Sequence, residues 1–77
     1  MKVVLEISTE LDEIPVLVNF VVIFSKDEGS WQNYWKINEI RNNEFKIDFD
    51  SLEIRLKTQV KRAIYDKIEE KARTLLE

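Results

Sequence analysis

The chain has 77 residues, of which 12 are Lys or Arg and 15 are Asp or Glu, and its formal net charge at pH 7 is -3. It contains no His and no Cys, which excludes zinc fingers, Cys–His or Ser–His–Asp catalysis, haem ligation, iron–sulfur clusters and disulfide scaffolds. It has one Gly, whereas a phosphate-binding loop needs several glycines at fixed spacing. We therefore predict that the protein is not an enzyme and that it holds no cofactor and no metal ion.

The length predicts a single domain, residues 1–77, with a marginal core. A chain this short buries roughly 60–65% of the surface that its unfolded form exposes. Small proteins compensate with disulfides, metals or association with other chains. Because the chain offers neither Cys nor His, we expect it to bind further copies of itself, as a homodimer or a higher oligomer. The acidic balance argues against nucleic acid as the partner.

The sequence predicts a cytoplasmic protein with no membrane-bound part. The longest apolar run, residues 14–24, contains Pro15 and Asn19 and is about half as long as a membrane helix. Glu6 interrupts the apolar stretch that a signal peptide would need. The absence of Cys is typical of a reducing compartment.

Four strands are predicted in chain order, at residues 2–8, 14–25, 31–41 and 44–49. The first alternates between apolar and polar side chains, apart from one valine. The second is rich in β-branched and aromatic residues. It is apolar on both faces, so we expect both faces to be covered, since a strand with one face in water alternates. A turn that contains Gly29 separates the second strand from the third.

The third and fourth strands are predicted to form a hairpin. Asn42 and Asn43 predict its turn, because Asn tolerates a left-handed backbone. Tyr34 has the opposite parity to the side chains that we predict to point inward. Those inward side chains are Trp31, Trp35 and Ile37 on the third strand and Phe45, Ile47 and Phe49 on the fourth.

Residues 51–76 predict one long helix, because they contain no Gly or Pro and are rich in Leu, Lys, Glu, Arg and Ala. Asp50 or Ser51 is the predicted cap, and Asp50 with Glu53 has the spacing of a capping box. The predicted fold class is therefore α+β: an antiparallel sheet of about four strands with one long C-terminal helix on one face.

The apolar stripe of this helix winds round the helix axis, because steps of four residues drift against a turn of 3.6 residues. One interpretation is that the end of the helix bends, frays or follows the twist of the sheet. The other is that the second half of the stripe binds another copy or a different protein. In that case the partner-binding surface also includes exposed aromatic residues beside the Gly29 turn. The predicted partner-binding residues are Trp31, Tyr34, Tyr65, Ile68, Ala72, Leu75 and Leu76.

Charged side chains form two groups, each with two interpretations. Paired carboxylates such as Asp48 and Asp50 suit acid–base chemistry or a hard metal ion. Exposed Asp and Glu are ordinary, however, and we interpret them as a solvated face. Basic residues on the helix are candidate contacts for an anion or nucleic acid, or else a solvated helix flank, because they scatter round the helix. These basic residues are Arg55, Lys57, Lys61 and Arg62.

The second half of the chain has a recognisable layout. A strand reads Trp35-Lys36-Ile37-Asn38-Glu39-Ile40, a polar turn and Phe45-Lys46-Ile47-Asp48-Phe49 follow, and a charged helix ends the chain. This layout resembles small phage-encoded proteins that consist of a β-hairpin and a C-terminal helix, and the resemblance covers about half of the chain. It implies an inhibitor of a host enzyme or of a bacterial defence system, acting in the host cytoplasm on a host protein. It carries over no functional residue.

Three functional classes remain open at this point. The first is a non-enzymatic protein-interaction module that acts as a homo-oligomer. The second is a small-molecule or nucleotide binder, with the ligand held between subunits by Arg55, Arg62 and aromatic rings; a closed pocket lined by such residues would favour it. The third is a single-stranded nucleic-acid binder, which a continuous basic groove would favour.

Overall fold

A computed structural model describes residues 1–27 and 30–76 of the chain. The described elements are β1 (Lys2–Leu11), β2 (Ile14–Asp27), β3 (Ser30–Asn42), β4 (Phe45–Ile47), a 3-10 helix (Phe49–Ser51) and α1 (Ile54–Leu76). The strands form one antiparallel sheet in the order β1-β2-β3-β4. The α1 helix packs on one face of this sheet, which we call the inner face. The predicted α+β class, with a four-stranded antiparallel sheet and one C-terminal helix, is confirmed.

The core lies between the inner face of the sheet and α1. Alternate residues of β2 are buried there because successive side chains of a strand point to opposite faces. Each fully buried aliphatic or Phe side chain contributes about 1.5–3 kcal/mol. The buried core side chains are Leu11, Val16, Val18, Phe20, Val22, Phe24, Ile40, Val60, Ile64 and Ile68.

The opposite face of the sheet, which we call the outer face, is not covered by α1. Leu17 and Ile23 of β2 are exposed there, and Val21 is half-buried. The apolar character of β2 on both faces is as predicted. The expectation that both faces are covered is wrong for the single chain, because one helix covers one face only.

A bulge in β3 changes which of its side chains point inward. Phe20 pairs with Ile37 but Asn19 pairs with Glu39, so Asn38 is an extra residue in β3. Ile37 and Ile40 therefore both face α1 although they are three positions apart. The Asn38 side-chain amide donates to Asn19 Oδ1 at 3.0 Å. The one polar residue in the apolar centre of β2 thus has its partner at the bulge.

Two of the three hairpin turns differ from the prediction in their position, and the third, the predicted turn at Gly29, lies outside the described residues. The first hairpin closes on Asp12 and Glu13, so β1 runs on to Leu11 instead of ending at residue 8. Leu11 is buried, and this burial explains why pairing continues through the acidic stretch. The turn between β3 and β4 lies one residue later than predicted, because Asn42 still pairs with Phe45.

The chain between β4 and α1 also differs from the prediction. Asp48 ends β4 by capping the 3-10 helix: its carboxylate accepts bonds from the Asp50 N–H at 3.2 Å and from the Ser51 hydroxyl at 3.0 Å. The first α-helical bond runs from the Lys57 N–H to the Glu53 carbonyl at 2.9 Å. The predicted cap at Asp50 or Ser51 is therefore wrong, and α1 begins three residues later than predicted.

Phe45 was predicted to be buried, and this prediction is wrong. It has the same parity as the half-buried Ile47, yet its side chain is 75% exposed. The reason is its place in the sheet, since β4 is the edge strand opposite β1, and α1 approaches β1 most closely.

Candidate functional site

The predicted aromatic group is divided between the two faces of the fold. Tyr34 lies on the outer face and is 66% exposed. Trp35 is half-buried on the inner face, where its ring meets the Tyr65 ring edge-on, with centroids 5.8 Å apart and an interplanar angle of 83°. The side chain of Trp31 lies outside the described part of the chain. Of the described aromatic residues on β3, Tyr34 is thus the one available to a partner.

The predicted partner surface on the second half of α1 is wrong in its centre. Ile68 is 4% exposed and belongs to the core, and Ala72 packs against that core. The apolar stripe therefore follows the sheet at least as far as Ala72, as the first of the two interpretations held. Tyr65 remains about half exposed, and the side chains of Leu75 and Leu76 lie outside the described part of the chain.

An exposed apolar cluster lies instead on the outer face of the sheet. We define the outer cluster as Val4, Val21, Ile23 and Tyr34. Cross-strand pairing sets Val4 beside Val21 and Ile23 beside Tyr34, so the four side chains are neighbours on three strands. Val4 is 60% exposed, Ile23 is 41% exposed and Val21 is half-buried. These residues form a continuous apolar surface that α1 leaves open.

Two lysines flank the outer cluster at opposite corners. Lys2 pairs with Ile23 on one side, and Lys36 pairs with Val21 on the other. Both lysine side chains are exposed. The outer cluster is therefore bordered by a basic side chain on β1 and another on β3, although the chain as a whole is acidic.

A polar row closes the cluster towards the β3–β4 turn. Glu6 pairs with Asn19, and Asn19 pairs with Glu39. The Glu39 carboxylate lies 3.3 Å from Arg41 Nε and 3.8 Å from Lys46 Nζ, so its charge is largely offset within the chain. Among the described residues, the charged side chains that adjoin the cluster by register and have no ion pair within the chain are thus Lys2, Lys36 and Glu6.

Sequence reasoning did not name Val4, Val21 or Ile23 as a site, although two signals pointed to it. β2 is apolar on both faces, and Val4 breaks the alternation of β1. Assembling these signals into one surface required the register of three strands. The alternation of single strands does not provide that register.

The four basic residues of α1 that were predicted as anion contacts are not brought together around one site. Arg55 donates to the Asp12 carboxylate through two nitrogens, at 2.5 and 2.8 Å, and its second partner is Glu53 at 3.4 Å. The hydrogen bond to Asp12 and the charge of that carboxylate raise the pKa of Arg55. The hydrogen bond from Arg55 in turn holds the pKa of Asp12 below its ordinary value. Arg55 already faces two carboxylates, so it is poorly placed to bind a further anion.

The other three basic residues that were predicted as anion contacts have separate surroundings. Lys57 is half-buried, and its Nζ lies 5.9 Å from the centre of the Phe49 ring, within the range of a cation–π contact. Lys61 and Arg62 are exposed to solvent. This arrangement matches the solvated helix flank better than a basic groove.

A cleft of about 340 Å³ opens between β3 and the 3-10 helix. Its apolar wall includes Trp35, and its polar rim includes the acidic residues Glu39, Asp48 and Asp50. This rim is acidic, whereas the nucleotide site that the sequence suggested requires arginine. Within the described ranges, no three acidic side chains are grouped as a metal ion would need.

Comparison with family models, with curated proteins and with solved structures finds no match. The resemblance to small phage proteins therefore stays a prediction. Within residues 1–27 and 30–76, no helix has both the length and the apolar character that crossing a membrane requires.

Proposed function

We propose that the protein is a non-enzymatic protein-interaction module that acts as a homo-oligomer, and that its outer cluster binds another protein. The observation that carries this proposal is the exposed apolar surface of Val4, Val21, Ile23 and Tyr34 on a sheet face that the helix leaves open. An antiparallel sheet with one face in water normally presents polar residues on that face. Contiguous apolar surface of this kind is typical of an interaction site.

The chemistry of the surface defines the partner. Tyr34 supplies a large, rigid ring with a polar tip, a type of side chain that often dominates binding at the centre of an interface. Lys2 and Lys36 flank the apolar centre. The surface of the partner should therefore have apolar side chains opposite this centre and carboxylates opposite the two lysines. The proposed partner is therefore a protein with an acidic rim around an apolar patch. An inhibitor of a host enzyme, as the resemblance implies, would act through such a surface.

The other two functional classes receive less support. Among the described residues, the cleft beside the 3-10 helix is lined by three acidic residues and by no Lys or Arg, whereas a nucleotide needs cations. On α1, Arg55 is engaged with Asp12 and Glu53, and Lys57 lies against Phe49. A binder of single strands uses a basic groove with aromatic rings on which bases stack, and these contacts leave little of α1 for that purpose.

Capture from a lysate of the source cells tests the proposal. Wild-type protein and the variants Tyr34→Ser, Lys36→Glu and Lys61→Glu are immobilised, and retained proteins are identified by mass spectrometry. We expect one acidic-surfaced protein to be retained by the wild type and by Lys61→Glu, which places the same charge change on the exposed flank of α1. Tyr34→Ser and Lys36→Glu should lose it, and higher salt should release it, because the rim contacts are ionic.

The retained protein is then purified and its Kd is measured against the same four proteins. We expect at least a tenfold weaker Kd for Tyr34→Ser and an unchanged Kd for Lys61→Glu. Equal binding by all four variants, or retention of nothing but the protein itself, would show that the outer cluster is not a docking surface for another protein. Circular dichroism confirms that each variant is folded.

A further inference from the structure

Within the described part of the chain, no strand pairs with the outer edge of β1, so its backbone groups there form a regular unpaired array. Met1 and Phe24 exchange two backbone bonds: the Phe24 N–H donates to the Met1 carbonyl at 2.8 Å, and the N-terminal ammonium donates to the Phe24 carbonyl at 2.6 Å. The pairing continues without a shift from Lys2 with Ile23 to Leu11 with Ile14. In an antiparallel pair every second residue exchanges both of its bonds. The odd-numbered residues of β1 therefore bond to β2, and the even-numbered residues direct their N–H and C=O groups to the open edge.

This edge lacks most of the features that usually protect an edge strand. Natural edge strands are often short, bulged or interrupted by Pro, or they carry charged side chains, of which inward-pointing charges disfavour pairing most directly. β1 is ten residues long, contains no Pro, and pairs with β2 in an unbroken register. Its charged side chains, Lys2, Glu6 and Glu10, all lie on the outer face and are exposed. Such an edge is a template for pairing with another strand.

The inner-face side chains of β1 are also less buried than those of β2. Val3, Leu5 and Ile7 pack against the core but are only half-buried. Their cross-strand neighbours on β2, among them Val18 and Phe20, are fully buried. The difference arises because each β2 residue has strands on both sides, whereas β1 has a strand on one side only. A further strand beside β1 would bury the remaining surface of these side chains.

We propose that β1 pairs antiparallel with β1 of a second copy, centred on Glu6, to form a continuous eight-stranded sheet. This pairing rests on the proposed homo-oligomeric state and names the contact that produces it. The two-fold axis runs perpendicular to the sheet, so both α1 helices lie on one face and both outer clusters lie on the other. Two clusters on one surface would allow a partner with two sites to bind with avidity.

Charge and hydrogen bonding select this register. Even-numbered residues must face even-numbered residues, so that each pair exchanges both outward bonds and the two outer faces coincide. Centring on Glu6 uses the edge from Lys2 to Glu10 in full and sets Lys2 of each copy opposite Glu10 of the other. On the inner face it sets Leu5 opposite Ile7. The single unfavourable pair is Glu6 against its own copy on the axis.

Sedimentation equilibrium of the full chain, with edge variants, tests the pairing. We expect the wild type to be a dimer at micromolar concentration. Lys2→Glu and Glu10→Lys should each weaken the dimer at least tenfold, since each sets like charges opposite one another. The double variant should recover most of the loss. Lys36→Glu, on the outer face away from the edge, is the matched control and should leave the dimer unchanged.

Two further variants test the hydrogen bonds and the register. Ser8→Pro removes an N–H that points to the open edge, so it should dissociate the dimer while the bonds between β1 and β2 remain. Because the chain has no Cys, Glu6→Cys places one thiol per copy on the axis, within reach of a disulfide. In Val4→Cys the two thiols would be separated by about 14 Å, from four residues of about 3.4 Å each. Glu6→Cys should therefore cross-link much faster under mild oxidation.

The outcomes separate the two proposals. A wild type that sediments as a monomer would overturn both the homo-oligomer and the edge pairing. It would not bear on whether the outer cluster binds another protein, which the capture experiment tests separately. If Lys2→Glu, Glu10→Lys and Ser8→Pro left the dimer dissociation constant unchanged, the edge pairing alone would be overturned. Faster cross-linking of Val4→Cys than of Glu6→Cys would overturn the register centred on Glu6.

Discussion

Arg55 donates hydrogen bonds to both carboxylate oxygens of Asp12 from the two terminal nitrogens of its guanidinium, at 2.5 and 2.8 Å, and so joins the first turn of α1 to the turn between β1 and β2. The two residues are 43 positions apart in the sequence. A two-pronged contact of this kind fixes orientation as well as distance. It therefore helps to set where α1 begins on the inner face of the sheet.

The Arg55–Asp12 contact predicts a pH-dependent contribution to stability. The hydrogen bond from Arg55, with a smaller contribution from its charge, lowers the pKa of Asp12 from its ordinary value of 3.8, and partial desolvation opposes this shift. Because the folded pKa lies below the unfolded pKa, the contribution is complete above the unfolded pKa. It is lost as the pH falls below about 4 and through the folded pKa.

Asp12→Asn removes the charge but keeps a residue that tolerates a left-handed backbone. We expect its urea midpoint to lie slightly below that of the wild type at pH 7 and the two midpoints to converge below pH 4. The pair is about half exposed, so the difference should also shrink at high salt. Midpoints that differ equally at pH 3 and pH 7 would contradict the ion pair as the cause.

The β1–β2 turn predicts a stabilising substitution. Asp12 and Glu13 have φ angles of 52° and 69°, a region that costs a residue other than Gly about 1–2 kcal/mol. Asp-Gly is a preferred pair for a two-residue hairpin turn of this type. Glu13→Gly should therefore raise the free energy of unfolding by about 0.5–1 kcal/mol, after the larger backbone entropy of Gly in the unfolded chain is subtracted.

Urea denaturation of Glu13→Gly measures this effect, with Glu13→Ala as its control. Ala removes the same side chain but keeps the Cβ that disfavours positive φ, so it should not stabilise the protein. If both variants were stabilised equally, loss of the carboxylate and not relief of the backbone would be responsible.

Ile68 and Ile54 provide a matched test of which side of α1 is buried. Ile68 is 4% exposed in the core, and Ile54 is 81% exposed at the first residue of the helix. Ile68→Ala should lower the free energy of unfolding by about 2–4 kcal/mol, through lost burial and the cavity it leaves. Ile54→Ala should change it by less than about 0.5 kcal/mol. Both values follow from urea denaturation, and similar losses for the two variants would contradict the observed packing of α1.

The sequence predicted the order and type of the elements because alternation and composition are local signals. The strands, the helix and the two-sided apolar character of β2 were all readable in this way. The turn at Asp12 and Glu13 was not, because neither residue is the Gly that normally marks a left-handed turn. The start of α1 was misplaced because Asp48, Asp50 and Ser51 all have capping side chains. Only the three-dimensional structure shows that Asp48 caps a separate 3-10 helix, after which α1 begins.

The candidate site depended on register, which the sequence does not encode locally. Tyr34 was predicted to face away from the core, but its neighbours Val4, Val21 and Ile23 come from two other strands. Ile68 was wrongly assigned to a partner-binding surface because a helical wheel treats the helix alone. It does not show that the winding apolar stripe stays in contact with a twisted sheet. The bulge at Asn38 was invisible because its polar side chain also suits a regular strand.

The bulge in β3 predicts that a deletion can be tolerated at one position and not at its neighbour. Asn38 is the extra residue between Ile37 and Ile40. Its removal leaves Ile37, Glu39 and Ile40 alternating inward, outward and inward, so every core side chain keeps its face. The expected loss is the Asn38–Asn19 hydrogen bond, which contributes about 1 kcal/mol.

Deletion of Lys36 is the matched control, because it removes a residue from the regular part of β3. One missing residue there moves the preceding side chains of the strand to the opposite face. Trp35 would then point to solvent and lose its edge-on contact with Tyr65. We expect a loss of about 3–5 kcal/mol, with Trp fluorescence shifted to the red. Equal destabilisation by the two deletions would show that Asn38 is an integral pairing residue of β3 and not the extra residue of a bulge.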